Sequence, residues 1–112
     1  MKRSKFYITK RANNKKGYYF EQVSGYTETI NGEEYGFRKL MDGRWEATLL
    51  RVGMLVTWDK TRSELAERIQ RMNLSKENND ALIERDPLNK RIVKDLEFMY
   101  QGYGYSGEED TQ

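Results

Sequence analysis

The chain has 112 residues, 34% of them charged and 37% from the apolar set, with a net charge of +2. It contains no His and no Cys, which removes the usual general base, the thiolate nucleophile and most transition-metal ligand sets together. No apolar run approaches the ~20 residues that span a bilayer, and the basic start Met1-Lys2-Arg3-Ser4-Lys5 has no apolar segment behind it, so it does not read as a secretory signal.

The length fits one domain, expected over residues 1–101, with 102–112 as a flexible Gly/Tyr/acidic tail. Absence of cysteine fits a reducing compartment, and a cytoplasmic location is expected. In chain order, Lys5 to Arg11 alternates around Phe6 and Ile8 and reads as a first strand. Asn13 to Gly17 has turn chemistry. Tyr18 to Val23 reads as a second strand, with a bend at Ser24-Gly25 before Tyr26 to Ile30.

Asn31-Gly32 and Asp42-Gly43 each suit a two-residue type I′ turn, and Val52-Gly53 is a third candidate. Two-residue turns at the last two would set Leu40 opposite Trp45, Arg38 opposite Ala47, Ala47 opposite Trp58 and Leu49 opposite Val56. Leu40, Trp45, Ala47, Leu49, Met54, Val56 and Trp58 would then share one face. The other face would carry Tyr35, Phe37, Leu50 and Leu55, extended by Tyr26. A half-apolar face is unusual in water. It is expected to be covered by another part of the chain or by a partner, and Tyr26, Tyr35, Phe37, Leu50 and Leu55 are the candidate partner-binding residues.

Thr61-Arg62-Ser63-Glu64 fits a capping box, followed by a stripe of Leu65, Ala66, Ile69 and Met72 that should pack on the Trp45 and Trp58 face. Glu64 with Arg68 and Glu67 with Arg71 have pairing spacing. Asn73 reads as a stop and Ser75 as the cap of a second helix reaching Arg85. Asp86-Pro87 opens a third, with a stripe of Leu88, Ile92, Val93, Leu96, Met99 and Tyr100 and an end at Gly102. That stripe must be buried on the second sheet face or in a homodimer with another copy of the chain. The expected fold is α+β: an antiparallel meander sheet of four to five strands, a helix on one face, and one or two further C-terminal helices.

No Gly-rich phosphate loop is present and nothing selects a pair of catalytic carboxylates, so neither enzyme activity nor a cofactor is expected. Basic residues interleave with aromatics near the start, where Lys5, Lys10, Arg11, Lys15, Lys16 and Tyr18 are candidates for contact with phosphates and unpaired bases. The competing reading makes Phe6, Ile8, Tyr18 and Phe20 strand core, with the lysines keeping an edge strand soluble.

At Asp42-Gly43-Arg44-Trp45 and Thr61-Arg62-Ser63-Glu64-Leu65-Ala66 the chain resembles the small arm-type DNA-binding domains of phage and transposon integrases, over about residues 35–72. The resemblance implies a three-stranded sheet backed by a helix, with the exposed sheet face entering the major groove. Here that face would show Lys39, Glu46, Thr48, Leu50, Leu55, Thr57 and Asp59, which is not basic, so the resemblance implies the architecture and not the DNA contact. In size, composition and Cys-free, strand-rich style the chain also resembles small stand-alone proteins of phages and mobile elements, among them anti-CRISPR proteins against type II RNA-guided nucleases. That resemblance implies a non-enzymatic inhibitor that occupies the surface of a host protein or protein–nucleic-acid complex. The alternative is a small sheet-based DNA- or RNA-binding accessory protein that uses the basic N-terminal arm.

Overall fold

A computed structural model describes residues 1–12, 17–72 and 76–103. Five strands come first: β1 (Lys2–Arg11), β2 (Tyr18–Ile30), β3 (Glu33–Lys39), β4 (Trp45–Leu49) and β5 (Met54–Asp59). Three helices follow: α1 (Arg62–Met72), α2 (Lys76–Glu84) and α3 (Pro87–Tyr103). The strands form one antiparallel sheet in sequence order, so the α+β meander expected from the sequence is present with its full five strands.

The three glycine turns differ. At Asn31-Gly32 both residues have positive φ, 54° and 79°, and Ile30 pairs with Glu33, so this is the two-residue turn expected. At the next hairpin only Gly43 is left-handed, with φ 94°. The Gly43 amide donates to the Leu40 carbonyl (2.9 Å) and the Leu40 amide to the Arg44 carbonyl (2.7 Å), which makes a three-residue loop closed by a Gly bulge. Asp42 accepts the Arg44 amide at 3.0 Å and its guanidinium at 2.8 Å. One extra loop residue moves the register by one, so Trp45 faces Lys39 and Ala47 faces Phe37.

Between β4 and β5 a four-residue loop, with Gly53 at φ 68°, replaces the two-residue turn. Ala47 then faces Thr57, and a bulge resets the pairing to Thr48 with Leu55. The expected faces are corrected accordingly. Tyr35 and Phe37 join Trp45, Ala47, Leu49, Met54 and Val56 on one face. Trp58 pairs with Glu46 on the other and is 45% exposed.

The first face carries the main core. Ile30, Tyr35, Phe37, Ala47 and Leu49 pack with Leu65 and Ile69 of α1, Ile83 of α2, and Ile92 and Leu96 of α3. The α3 stripe is therefore covered within the chain, which removes the reason for placing a homodimer there. Thr61 accepts the Glu64 amide at 3.1 Å, as the capping box requires, and Asp86 accepts the Leu88 amide at 2.9 Å. Arg71 meets Glu67 at 4.0 Å, whereas Arg68 turns to Asp59 at 2.9 Å instead of Glu64. Helix α3 runs past Gly102, two residues into the stretch read as tail. Asn73, Ser75 and residues 104–112 lie outside the described residues.

A smaller core forms on the opposite face, where Phe6, Ile8 and Leu50 pack with Val23. A Cβ on Gly36 would lie 2.6 Å from the Phe6 ring, so glycine is needed there for the ring to lie flat on β3. The outer edge of β1 is covered as well. The Thr9 amide and hydroxyl donate to the Gly53 and Val52 carbonyls, both at 2.8 Å, and the Tyr7 amide donates to the Tyr100 hydroxyl at 3.1 Å. These bonds cover that edge around Tyr7 and Thr9.

Candidate nucleic-acid interface

Two clusters of charge occupy opposite ends of the helix-bearing face. At the end holding the Asn31-Gly32 turn and the β4–β5 loop, Arg51 grips both oxygens of Glu33 at 2.8 Å. Glu33 is 3% exposed. Arg51 also bonds Asp80, and Asn79 donates to Glu33 at 3.3 Å and to the Tyr35 hydroxyl at 3.4 Å. The hydrogen bonds it donates to Glu33 hold the Arg51 guanidinium above its usual pKa, and burial does the same for the Tyr35 phenol. A cavity of about 420 Å³ lies beside the cluster, lined in part by Glu33, Glu34, Arg51, Glu97 and Tyr100. Both Glu33 oxygens are occupied by Arg51, so this carboxylate is not placed as a base. The cluster ties α2 to the sheet.

At the other end the cations stand differently. A cleft of about 210 Å³ is lined by Arg3, Ser24, Gly25, Tyr26, Lys39 and Trp45. Arg3 pairs with Tyr26 across β1 and β2, and Lys39 pairs with Trp45 across β3 and β4. Arg62, the first residue of α1, lays its guanidinium over the Tyr26 ring at 4.1 Å and reaches Trp45 at 5.7 Å. The two rings are tilted by 46° with centroids 6.0 Å apart. No carboxylate among the described residues lines the cleft. Among the described residues Arg3, Lys39 and Arg62 have no carboxylate partner, whereas Arg38, Arg44, Arg51, Arg68 and Arg71 are each ion-paired.

The expected nucleic-acid residues are scattered. Lys5 is exposed on β1, on the Arg3 side of the strand. Lys10 points to the opposite face and meets Glu21 at 3.7 Å. Arg11 is exposed at the far end of β1. Tyr18 donates to Asp95 of α3, a hydrogen bond that raises its pKa, and Arg91 lies over its ring at 5.9 Å. Lys15 and Lys16 lie outside the described residues.

The expected partner-binding residues do not form one exposed face. Tyr35 and Phe37 are fully buried under the helices and Leu50 is 3% exposed in the smaller core. Leu55 is 57% exposed on β5, and Tyr26 belongs to the basic cleft. Sequence reasoning missed Lys39, Trp45 and Arg62. The available signal was a Gly at the third position of a three-residue loop, which would have paired Trp45 with Lys39.

A third feature is apolar. A groove of about 310 Å³ runs between β5 and α2, rimmed by Leu55, Met72 and Leu82, each more than 40% exposed. Among the described residues no cluster of acids is placed to hold a metal, and no helix is long and apolar enough to cross a membrane. No family model, curated protein or solved structure matches the chain.

Proposed function

We propose that the protein is a non-catalytic binding protein that grips the phosphate backbone of a nucleic acid at the cleft lined by Arg3 and Lys39, with Arg62 beside it. The observation that carries this reading is a cleft lined by two cations and two aromatic rings, with a third cation, Arg62, stacked on Tyr26 beside it, and none of the three has a carboxylate partner among the described residues. Arg3 and Lys39 are exposed beside the two rings, where a phosphate would supply the missing charge. The test is fluorescence anisotropy of labelled oligonucleotides across a salt series. Three contacts on a single strand predict a log–log salt slope of about −2, and Arg3→Gln or Lys39→Gln should each flatten it by about 0.7. An unchanged slope in both variants, or no binding at ~0.15 M salt, overturns the reading.

A second reading is favoured by the exposed rim of the β5–α2 groove. It keeps the expectation of a host protein as partner, with Leu55 as its contact instead of Tyr35, Phe37 and Leu50. Leu55→Asp and Leu82→Asp should then abolish a protein complex while leaving oligonucleotide binding unchanged. Retention of the complex by both variants would remove this reading.

A further inference from the structure

We infer that the cleft takes one unpaired nucleotide, its base against the Tyr26 and Trp45 rings and its phosphate between Arg3 and Lys39, so that the protein selects single strands over duplex. The inference rests on the phosphate reading above and narrows it. Phosphate binding alone needs no aromatic wall. Here Tyr26 and Trp45 line the same cleft as Arg3 and Lys39, together with Ser24 and Gly25. In a duplex the base faces are enclosed in the stack, so a duplex phosphate that reached the two cations would leave the rings unused. An unpaired base has a free π face and stacks regardless of sequence.

Two details support a site that is already formed. Arg62 packs on Tyr26 from α1 and is not part of the cleft lining, so a base can enter without displacing it. It holds the ring and adds positive potential. Next to Tyr26, a Cβ on Gly25 would fall 2.1 Å from the Phe37 carbonyl oxygen and 3.2 Å from the Phe6 ring, so glycine lets β2 lie tight against β3 where it lines the cleft. An acidic peptide would satisfy the cations but has no flat ring for these walls, and it enters the test as a competitor.

The experiment uses Trp58→Phe protein, in which Trp45 is the one remaining tryptophan. Thymidine and uridine oligomers of about ten nucleotides, a duplex of equal length, inorganic polyphosphate and a Glu-rich peptide are titrated at ~0.15 M salt. The single strands should bind about tenfold tighter than the duplex and quench Trp45 emission, which the duplex and polyphosphate should not. Tyr26→Leu should weaken single strands about tenfold and leave the other polyanions within about twofold. Arg3→Gln, an exposed change, should weaken every polyanion alike. Should Tyr26→Leu fail to fold, quenching in the Trp58→Phe protein decides. Equal affinity for single strand, duplex and polyphosphate, or binding without quenching, overturns the inference and leaves the phosphate reading standing. Binding of the peptide alone, or of no polyanion, overturns both.

Discussion

Arg51 and Arg62 are both half-buried arginines on the helix-bearing side of one sheet, and the chain treats them in opposite ways. Arg51 is clamped between Glu33 and Asp80, with its partner Glu33 almost fully removed from water. Arg62 has ring faces beneath it and no acid beside it among the described residues. An ion pair of the first kind fixes elements relative to one another. A guanidinium of the second kind contributes little to stability and keeps its hydrogen-bonding edge for something else. On the proposed reading, this difference separates a scaffold end of the sheet from an end left open to a ligand.

The sharpest break of this contrast is a pair of matched substitutions. Arg51→Met leaves the Glu33 carboxylate buried with only Asn79 as donor, and should cost about 3 kcal/mol. Arg62→Met removes a cation–π contact without leaving a buried charge unpaired, and should cost about 1 kcal/mol or less. Denaturant melts compare the two directly. Equal losses would mean that Arg62 is structural and would dissolve the distinction.

The scaffold end should also show in alkaline solution. Tyr100 lines the cavity beside Arg51, and burial pushes its pKa up to about 12. The folded chain therefore prefers the neutral phenol more than the unfolded chain does, whose tyrosines titrate near 10. Stability from this preference is complete below pH ~10 and is lost as pH rises through the window from ~10 to ~12, by roughly 2 kcal/mol. Tyr35, also raised by burial, contributes in the same sense. Tyr100→Phe should flatten the fall measured by thermal melts between pH ~9 and ~11. An unchanged fall would place the phenol in water.

The sheet, the helices and their caps were legible because each has a local cause: Asn31-Gly32 for one turn, Thr61 with Glu64 for α1, Asp86 with Pro87 for α3. The face assignment was not. Two- and three-residue loops both suit Asp42-Gly43, and they differ by one residue of register. Apolar residues occupy both faces, so alternation could not choose between them. The coiling that unites Phe6, Ile8 and Leu50 depends on contacts more than 40 residues apart, such as Thr9 with Val52. The cleft inherits both difficulties. Arg3 and Tyr26 were visible as basic and aromatic, but Lys39 meets Trp45 only in the observed register, and nothing local aims Arg62 at Tyr26.

The ligand end can be converted toward the scaffold type by giving its cations an acid. Ser24 is exposed and lines the cleft beside Lys39 and Arg3. Ser24→Glu should lower oligonucleotide affinity about tenfold, or about 1.4 kcal/mol, and leave the melting temperature within a few degrees. The added carboxylate occupies the cations and repels phosphate, while a surface ion pair contributes at most about 1 kcal/mol to the fold. Ser24→Gln, of similar size without the charge, should lose less than about threefold by the same electrostatic argument. Equal losses in the two variants would mean that bulk, and not charge, closes the cleft.

The smallest expected effect isolates what is specific to arginine at position 62. Arg62→Lys keeps the positive charge at the start of α1, so the long-range field and the salt slope should not change. What changes is shape. A guanidinium lies flat on the Tyr26 ring and keeps its five donors around the rim, whereas an ammonium is a compact, strongly hydrated point on a flexible stem. The lysine should therefore leave Tyr26 less well held and offer a phosphate no fork. Affinity for single strands should fall about two- to fivefold, near 0.5–1 kcal/mol, with stability unchanged within about 0.5 kcal/mol. Trp45 emission in the free protein should shift as its neighbour moves. If Arg62→Lys binds as tightly as the parent, charge alone is what α1 supplies to the cleft. If it binds no better than Arg62→Met, the stacked guanidinium is the contact itself, and the contrast with Arg51 rests on geometry and not merely on the absence of an acid.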